Sequence, residues 1–334
     1  MAASTTLPGN NAMRTFGLRL ALCLVAVLGA APLASAQVPL PKSIRIVVPF
    51  SPGGSNDVIA RAIAGPLAKR LDTPVIVENK AGAAGVIGAD YVAKAPRDGS
   101  VLLLTSSSFL TAAATQTQMP YDPIAAFAPV AMVGRGPMLL VVSATTAFKT
   151  PADVIAAARA KPGALNYGTA GIGSIAHLTT ELLDDTAKIQ MTHVPYKGAA
   201  NAAVDLAAGQ IQVMVSNYST LAPLMKSGKI RALAVTSGTQ HAAFPDLPPL
   251  ATVAPGFAVA IWVGVFAPAG TPPAIVERLN QEINAIAASP ELATVLDPDG
   301  TLPEAIGASV FAARIRDELA QWKQIATEHK IVAE

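Results

Sequence analysis

The sequence predicts an α/β protein with largely parallel sheets, and three observations carry that prediction. Short apolar runs alternate with stretches in which apolar residues recur every three or four positions. Glycine-rich turns stand between several of those runs and the helical stretch that follows. The chain has 334 residues, long for one domain and comfortable for two.

Taken in order, residues 44–50 form the first predicted strand, which breaks at Pro52-Gly53-Gly54. Residues 58–71 read as a helix with Ile59, Ile63, Leu67 and Leu71 spaced four apart; Pro66 kinks it or marks its end. A strand at 75–78 precedes a second glycine-rich turn, NKAGAAGVIGAD, and a helix at 85–94. The strand at 101–105 runs into Ser106-Ser107-Ser108, and another strand covers 138–142. Helices at 151–160, 176–183 and 199–208 alternate with strands near 165–167, 193–195 and 213–216. Later strands fall at 232–235 and 263–266. PAGTPP (268–273) turns into a helix at 274–287. The C-terminal helix is amphipathic, with Phe311, Ile315, Leu319, Trp322 and Ile325 on one face. In open sheets of this kind ligands bind at the carboxyl ends of the strands. That makes residues 50–57, 106–108, 169–174 and 217–218 candidate binding edges.

Composition narrows the class. Residues 13–36 read as a signal peptide: Arg14 and Arg19 precede an apolar core at 20–30 and the small-residue site Ala34-Ser35-Ala36. That core is too short for a good membrane span. With residues 1–36 removed, the mature chain starts at Gln37, exported and soluble. Loss of the two arginines brings the 24 basic residues level with the 22 acidic ones, so no basic footprint for nucleic acid or a membrane surface remains. The one cysteine, Cys23, lies in the signal core, so the mature chain has no disulfide and no cysteine metal site. His177, His193, His241 and His329 show no paired metal-ligand spacing. No cofactor is expected.

PFSPGGSNDVIARAI (49–63) has a physical reading. Gly53 and Gly54 permit a sharp turn and close approach. Ser55, Asn56 and Asp57 suit a helix start, whose first amides lack intrahelical partners and favour negative charge. The phosphate-loop ending Gly-Lys-Ser/Thr is missing, so a carboxylate fits better than a phosphate. A plain capped turn fits the same residues. YGTAGIGSIAH (167–177) repeats the device without dinucleotide or nucleophile-elbow spacing. There Ser174 and His177 read either as cap and first-turn residue or as a nucleophile–base pair. Tyr196-Lys197 close a short strand, and Lys197 is either an exposed loop lysine or a point charge for a carboxylate. Asp205, in an otherwise apolar helix, is either a surface aspartate or a functional one.

Seven stretches, in order across nearly the whole mature chain, carry a resemblance. They are PFSPGGSNDVIAR (49–61), VENKAGAAGVIGADYVAKAPRDGSVLLL (77–104), YDPIAAFAPV (121–130), NYGTAGIGSIAHLTTELL (166–183), VPYKGAANAAVDLAAGQIQVM (194–214), GKIRALAVTS (228–237) and WVGVFAPAGTPPAIVERLN (262–280). Together they resemble the substrate-binding proteins of tripartite tricarboxylate transporters, the Bug-type extracytoplasmic solute receptors. The resemblance implies a two-lobed, Venus-flytrap fold of the type II periplasmic-binding kind with a ligand cleft between the lobes. Lobe 1 would be 37–137 plus 262–334, and lobe 2 would be 138–261. It implies a monomeric, non-enzymatic periplasmic receptor that delivers a small organic carboxylate to membrane permease subunits.

In the family, two glycine loops grip the ligand carboxylate through backbone amides, small hydroxyls and bridging waters. By position that implicates Ser51, Gly53, Gly54, Ser55, Asn56 and Asp57 on one lobe, with Phe50 as a wall. On the other lobe it implicates Thr169, Ala170, Gly171, Gly173 and Ser174. Ser107, Ser108, His177, Lys197, Asp205 and Asn217 complete the candidate set. Ser51 stands where a small apolar residue or proline is commoner, and Asn56 where threonine is frequent. Two other readings stand beside this one: an exported hydrolase with Ser174 as nucleophile, and a sensor that presents its closed form to a signalling partner.

Overall fold

Two sheets organise the chain, and both are mixed, where the sequence pattern predicts largely parallel ones. In the first, β1 (Ile44–Val48) lies between its parallel neighbours β2 (Val75–Asn79) and β3 (Val101–Ser106). β10 (Ile261–Pro268) pairs antiparallel with both β3 and β4 (Phe127–Gly136), and the two-residue β11 (Leu302–Pro303) closes the edge on β4. In the second, β6 (Asn166–Thr169) runs parallel to β7 (Thr192–Pro195) and β8 (Val213–Ser216). There β5 (Leu139–Ser143) runs antiparallel to β8 and β9 (Ile230–Val235). The cause of the mixing is the path of the chain. It passes from the first sheet to the second between Gly136 and Leu139 and returns between Val235 and Ile261. The strand that enters after each passage, β5 or β10, meets its neighbours head to tail. The sheets with their helices make two α/β lobes.

The computed structural model describes residues 1–5, 40–328 and 331–332. The signal segment read at 13–36, with Cys23, and His329 lie outside the described residues. From Leu40 onward the chain forms one compact unit. Among the described residues no helix is long and apolar enough to cross a membrane.

Five helices start directly after parallel strands. They are α1 (Ser55–Leu71), α3 (Ser108–Thr115), α5 (Ile175–Ala187), α6 (Ala199–Ala207) and α7 (Tyr218–Lys226). The others are α2 (Val86–Ala93), α4 (Pro151–Ala160), α8 (Pro273–Ala287), α9 (Pro290–Leu296) and α10 (Ala308–Glu328). α1 buries the predicted stripe Ile59, Ile63, Leu67 and Leu71 and runs through Pro66 without ending there. α10 lays Phe311, Ile315, Leu319 and Trp322 on the first sheet, with Ala326 buried in place of the half-buried Ile325. Gly264 makes that approach possible: a Cβ there would stand 2.6 Å from the Phe311 ring.

Phe311 is fully buried and packs against Trp262 and Phe266, with ring centroids 5.7 and 5.2 Å away. Phe311→Ala is expected to lower unfolding free energy by about 3–5 kcal/mol, as loss of a buried aromatic does. Chemical denaturation checks this; a loss below about 1 kcal/mol would show that α10 does not anchor the first lobe.

Candidate functional site

The five helices that follow parallel strands all begin at one cleft between the two sheets. Each leaves its first amides without intrahelical partners, and each dipole puts partial positive charge there. Gly54 and Asn56 of α1, Ser108 of α3, Ser174 and Ala176 of α5, Ala199 of α6 and Asn217 and Thr220 of α7 line a cavity of about 60 Å³. One water needs roughly 10–15 Å³, so the space suits a short ligand. Phe50, Met138, Val215 and Ile261 supply apolar wall, and Ser51, Ser55, Ser106 and Ser216 add hydroxyls. No Lys, Arg, His, Asp or Glu is among the lining residues.

The lobes meet around this cavity. Ser55 N–H donates to Thr220 Oγ1 at 3.0 Å, and Ile175 N–H donates to Ser108 Oγ at 3.1 Å. Thr111 Oγ1 donates to the Gly173 carbonyl at 2.8 Å. At two points the backbones approach so closely that only glycine fits. A Cβ on Gly198 would lie 2.9 Å from Ser51 Cβ, and one on Gly171 would lie 3.1 Å from Ala84 N.

Of the residues singled out in sequence, Phe50, Ser51, Gly54, Ser55, Asn56, Ser108, Ala170, Ser174 and Asn217 share the cavity. The rest lie elsewhere. Gly53, Gly171 and Gly173, expected to offer amides to a ligand, spend them inside their own loops. Gly53 N–H donates to Asp57 Oδ2, Gly171 N–H to Thr169 Oγ1 and Gly173 N–H to His177 Nδ1. Asp57 faces away from the cavity and also takes hydrogen bonds from Arg61 and Asn79. Burial pushes its carboxyl up, but bonds from Arg61, Gly53 and Asn79 together hold it below the usual range. Ser107 is fully buried and bonds twice to the Trp262 backbone. Lys197 is exposed and lines a wider outer recess with Gly171, while Asp205 accepts from Tyr196 OH at 2.7 Å. Ser106, on the predicted binding edge 106–108, also lines the cavity; sequence reasoning missed Ser216, next to Asn217, Thr220, one turn further on, and Gly198, one residue past the lysine it weighed.

Behind the second glycine loop lies a cluster of titratable rings. His177 and His193 stack with centroids 4.0 Å apart, and Tyr167 stacks on His193 at 5.0 Å. His193 Nε2 bonds to Thr169 Oγ1 at 2.6 Å, and Tyr167 OH donates to Glu181. Burial pushes His177 down to about 4, and burial with the neighbouring His177 pushes His193 down to about 3. Asp184 is pushed up to about 7 by burial, against the Met191 N–H that bonds it. The His177 ring therefore serves the loop. Its Nδ1 takes Gly173, its Nε2 stands 3.8 Å from Glu181, and Ser174 Oγ is held by the His177 backbone N–H. Among the described residues no imidazole hydrogen-bonds to Ser174 Oγ, as a hydrolytic pair would require.

Fold and cleft define a class: the two-lobed binding proteins of the periplasmic type, in which one chain builds a ligand cleft between two α/β lobes. Within that class the chain belongs to the tripartite tricarboxylate transporter receptor family, whose model ("Tripartite tricarboxylate transporter family receptor") matches residues 59–331. It is similar to the periplasmic binding protein BugD, at 30% identity and TM-score 0.83 over 87% of this chain and 99% of that one. It is similar to Rpa4515 of R. palustris with adipate, at 34% identity and TM-score 0.82 over 87% and 98%. It is similar to MatC of Rhodopseudomonas palustris with bound malate, at 31% identity and TM-score 0.80 over 85% and 98%. The family is one of substrate-binding receptors, not enzymes.

Two expectations follow. Gly198 has an extended φ of 179°, so a side chain strains nothing but the space against Ser51. Gly198→Val should hold the lobes apart, raising the radius of gyration in small-angle scattering while the circular dichroism spectrum is kept; an unchanged radius would show that this contact does not limit approach. The histidine pair sets a pH dependence. Both rings titrate near 6.5 when unfolded and near 4 and 3 when folded, so between those values the unfolded chain binds more protons. Their contribution is full above about pH 6.5 and is lost as pH falls towards 4. Asp184 works the other way, gaining as pH falls below about 7, and so do Asp299 and Glu318, whose carboxyls burial also raises. His193→Gln, which keeps a donor for Thr169, removes one imidazole, so between pH 6.5 and 4.5 the melting temperature of the wild type should fall relative to that of the variant. Calorimetry at stepped pH reads both; equal slopes in the two proteins would refute the assignment.

Proposed function

We propose that this chain is a receptor that captures a small organic carboxylate between its lobes and delivers it to the membrane permease subunits of a tripartite transporter. One observation carries the reading. Five helix N-termini open on a cavity lined by hydroxyls, amides and apolar groups, with no charged side chain. Such a site attracts an anion through fixed dipoles, each worth about 0.3–1 kcal/mol when exposed and up to about 2 when partly buried. Hydrogen bonds to a charged acceptor add roughly 1.5–3 kcal/mol each. A few of them, less the cost of ordering, reach the roughly −8 kcal/mol of micromolar binding. The adipate and malate in the two neighbours are carboxylates, which supports the same ligand class.

In this reading Ser51, Gly54, Ser55, Asn56, Ser108, Ala170, Ser174 and Asn217 face the ligand. Asp57, Thr169 and His177 hold the loops. The lobes are 37–137 plus 262–334 and 138–261, the receptor works as a monomer in the periplasm, and a signal peptide is cleaved after Ala36.

Calorimetric titration with short mono- and dicarboxylates tests the proposal. Affinity should be flat from about pH 6 to 8 and fall only towards the ligand's own pKa, near 4 for a typical carboxyl. Ser174→Ala should weaken binding at least about tenfold, the lower end of one hydrogen bond to an ionised group. A steep loss of affinity above pH 6.5 would mean that a protonated histidine, not the helix ends, holds the anion.

A further inference from the structure

Asp299 stands where the lobes meet and is 1% exposed. Its carboxylate accepts from the Ser219 N–H in the first turn of α7, from Ser219 Oγ at 2.8 Å, and from Ser55 Oγ at 3.2 Å at the start of α1. Among the described residues no lysine or arginine forms an ion pair with it. One protein carboxylate thus ties a helix end of each lobe to the other, and it leaves the cavity with a defined hydrogen-bond polarity.

A serine hydroxyl has one hydrogen to give and two lone pairs. Ser55 gives its hydrogen to Asp299, so towards the cavity Ser55 Oγ can only accept. Ser108 Oγ and Ser174 Oγ are the reverse case. Each already accepts a backbone N–H, from Ile175 and His177, and keeps its hydrogen for a partner in the cavity. The α7 end is also occupied: Asp299 fills it, burial raising its carboxyl and the bonds from Ser219 and Ser55 opposing that rise, and a second carboxylate beside it would compete for the same donors. A ligand carboxylate is thereby directed to the α5 side, where Ser108 and Ser174 donate. The Ser55 side, backed by Asp299, calls for a ligand group that donates.

We infer that Asp299 is a specificity-determining residue that makes the cleft select a hydroxy acid, with the ligand hydroxyl donating to Ser55 Oγ. The inference rests on the carboxylate-receptor reading and refines it. A hydroxyl fits the Ser55 side better than an ammonium does. Ser55 Oγ offers its lone pairs to one donor, which a hydroxyl satisfies with its single hydrogen, whereas an ammonium brings three hydrogens that all need acceptors.

The test is titration calorimetry with pairs that differ by one hydroxyl, lactate against propionate and malate against succinate, with alanine as the ammonium arm. The wild-type protein should bind the hydroxylated member about tenfold more tightly, the upper end of one net hydrogen bond. Asp299→Asn tests the cause. The Ser219 N–H keeps the amide oxygen on its own side, so the amide nitrogen faces Ser219 Oγ and Ser55 Oγ and has one hydrogen for each. The tie between the lobes survives, and the Ser55 hydrogen turns free. A ligand hydroxyl can still pair with Ser55 there, but a keto group, which only accepts, becomes acceptable: Asp299→Asn should bind pyruvate within about twofold of lactate, where the wild type prefers lactate about tenfold, and Ser55→Ala, which leaves Asp299 in place, should shrink the lactate-over-propionate preference to within about twofold. A wild type that binds both members of each pair equally, or binds alanine more tightly than lactate, overturns the inference and leaves the receptor reading intact. An Asp299→Asn variant that keeps the wild-type lactate-over-pyruvate ratio, or a Ser55→Ala variant that keeps the lactate-over-propionate ratio, does the same. If none of the carboxylates binds, the receptor reading falls and takes the inference with it.

Discussion

Every helix that begins at the cleft must satisfy amides that its own turns leave open, and the molecule's interior is arranged around that demand. Neutral hydroxyls of the opposite lobe answer part of it: Thr220 for the first amide of α1, Ser108 for the first amide of α5. A protein carboxylate answers another part, Asp299 at α7. Each partner comes from an element distant in sequence, so the demand of one helix is met only when both lobes are in place. Buried amides without partners would cost about 1–3 kcal/mol each.

The loops between strand and helix are held by their own side chains, which frees the cavity surface for small groups. Asp57 closes the first turn onto Gly53 and braces it on Asn79, whose amide also donates to the Phe50 carbonyl. Thr169 and His177 close the second, with His193 bonded behind Thr169. A titratable side chain in either loop thus works on the backbone that shapes the cavity. That explains how the cavity is walled by neutral groups, with the charged residues turned outward or buried behind the wall.

Much of this was legible in the sequence, and the failures have causes. The stripe of α1, the strand–glycine–helix junctions and the ordered family stretches gave the architecture and about half of the lining. The helix α3 escaped because Ser-Phe-Leu-Thr-Ala-Ala-Ala-Thr is buried on nearly every side and shows no amphipathic period. The helix α7 escaped because Pro223 sits within it, and with α7 went Thr220. The strand β4 carries Pro129 and a bulged register against β10, both of which break the alternation that marks a strand. Which glycine amides were free was never readable, since that depends on Thr169, His177 and Asp57 folding back onto them. Asp299 was invisible for a related reason: it lies 80 residues from Ser219 and 244 from Ser55, and only the fold joins them.

The wall of the first lobe that meets the second glycine loop is itself tied to the passage between lobes. Ser107 bonds to the Trp262 backbone in both directions, and the Trp262 indole, with that of Trp322, donates to Glu318. Burial raises the Glu318 carboxyl, and the two indoles oppose that rise. β10 is the strand on which the chain returns to the first lobe, so α3, which Ser107 precedes as N-cap, is fixed to the point about which the lobes are joined. From α3, Ser108 and Thr111 reach the loop that carries Gly173 and Ile175. The hydroxyls that line the site are therefore set by the same contacts that bring the lobes together. A ligand that bonds to Ser108 and Ser174 at once stabilises the apposed lobes by the difference between those contacts and the ones available when the lobes part, and by no more than that. Capture and closure are in this sense one equilibrium, with α3 as the element that both share.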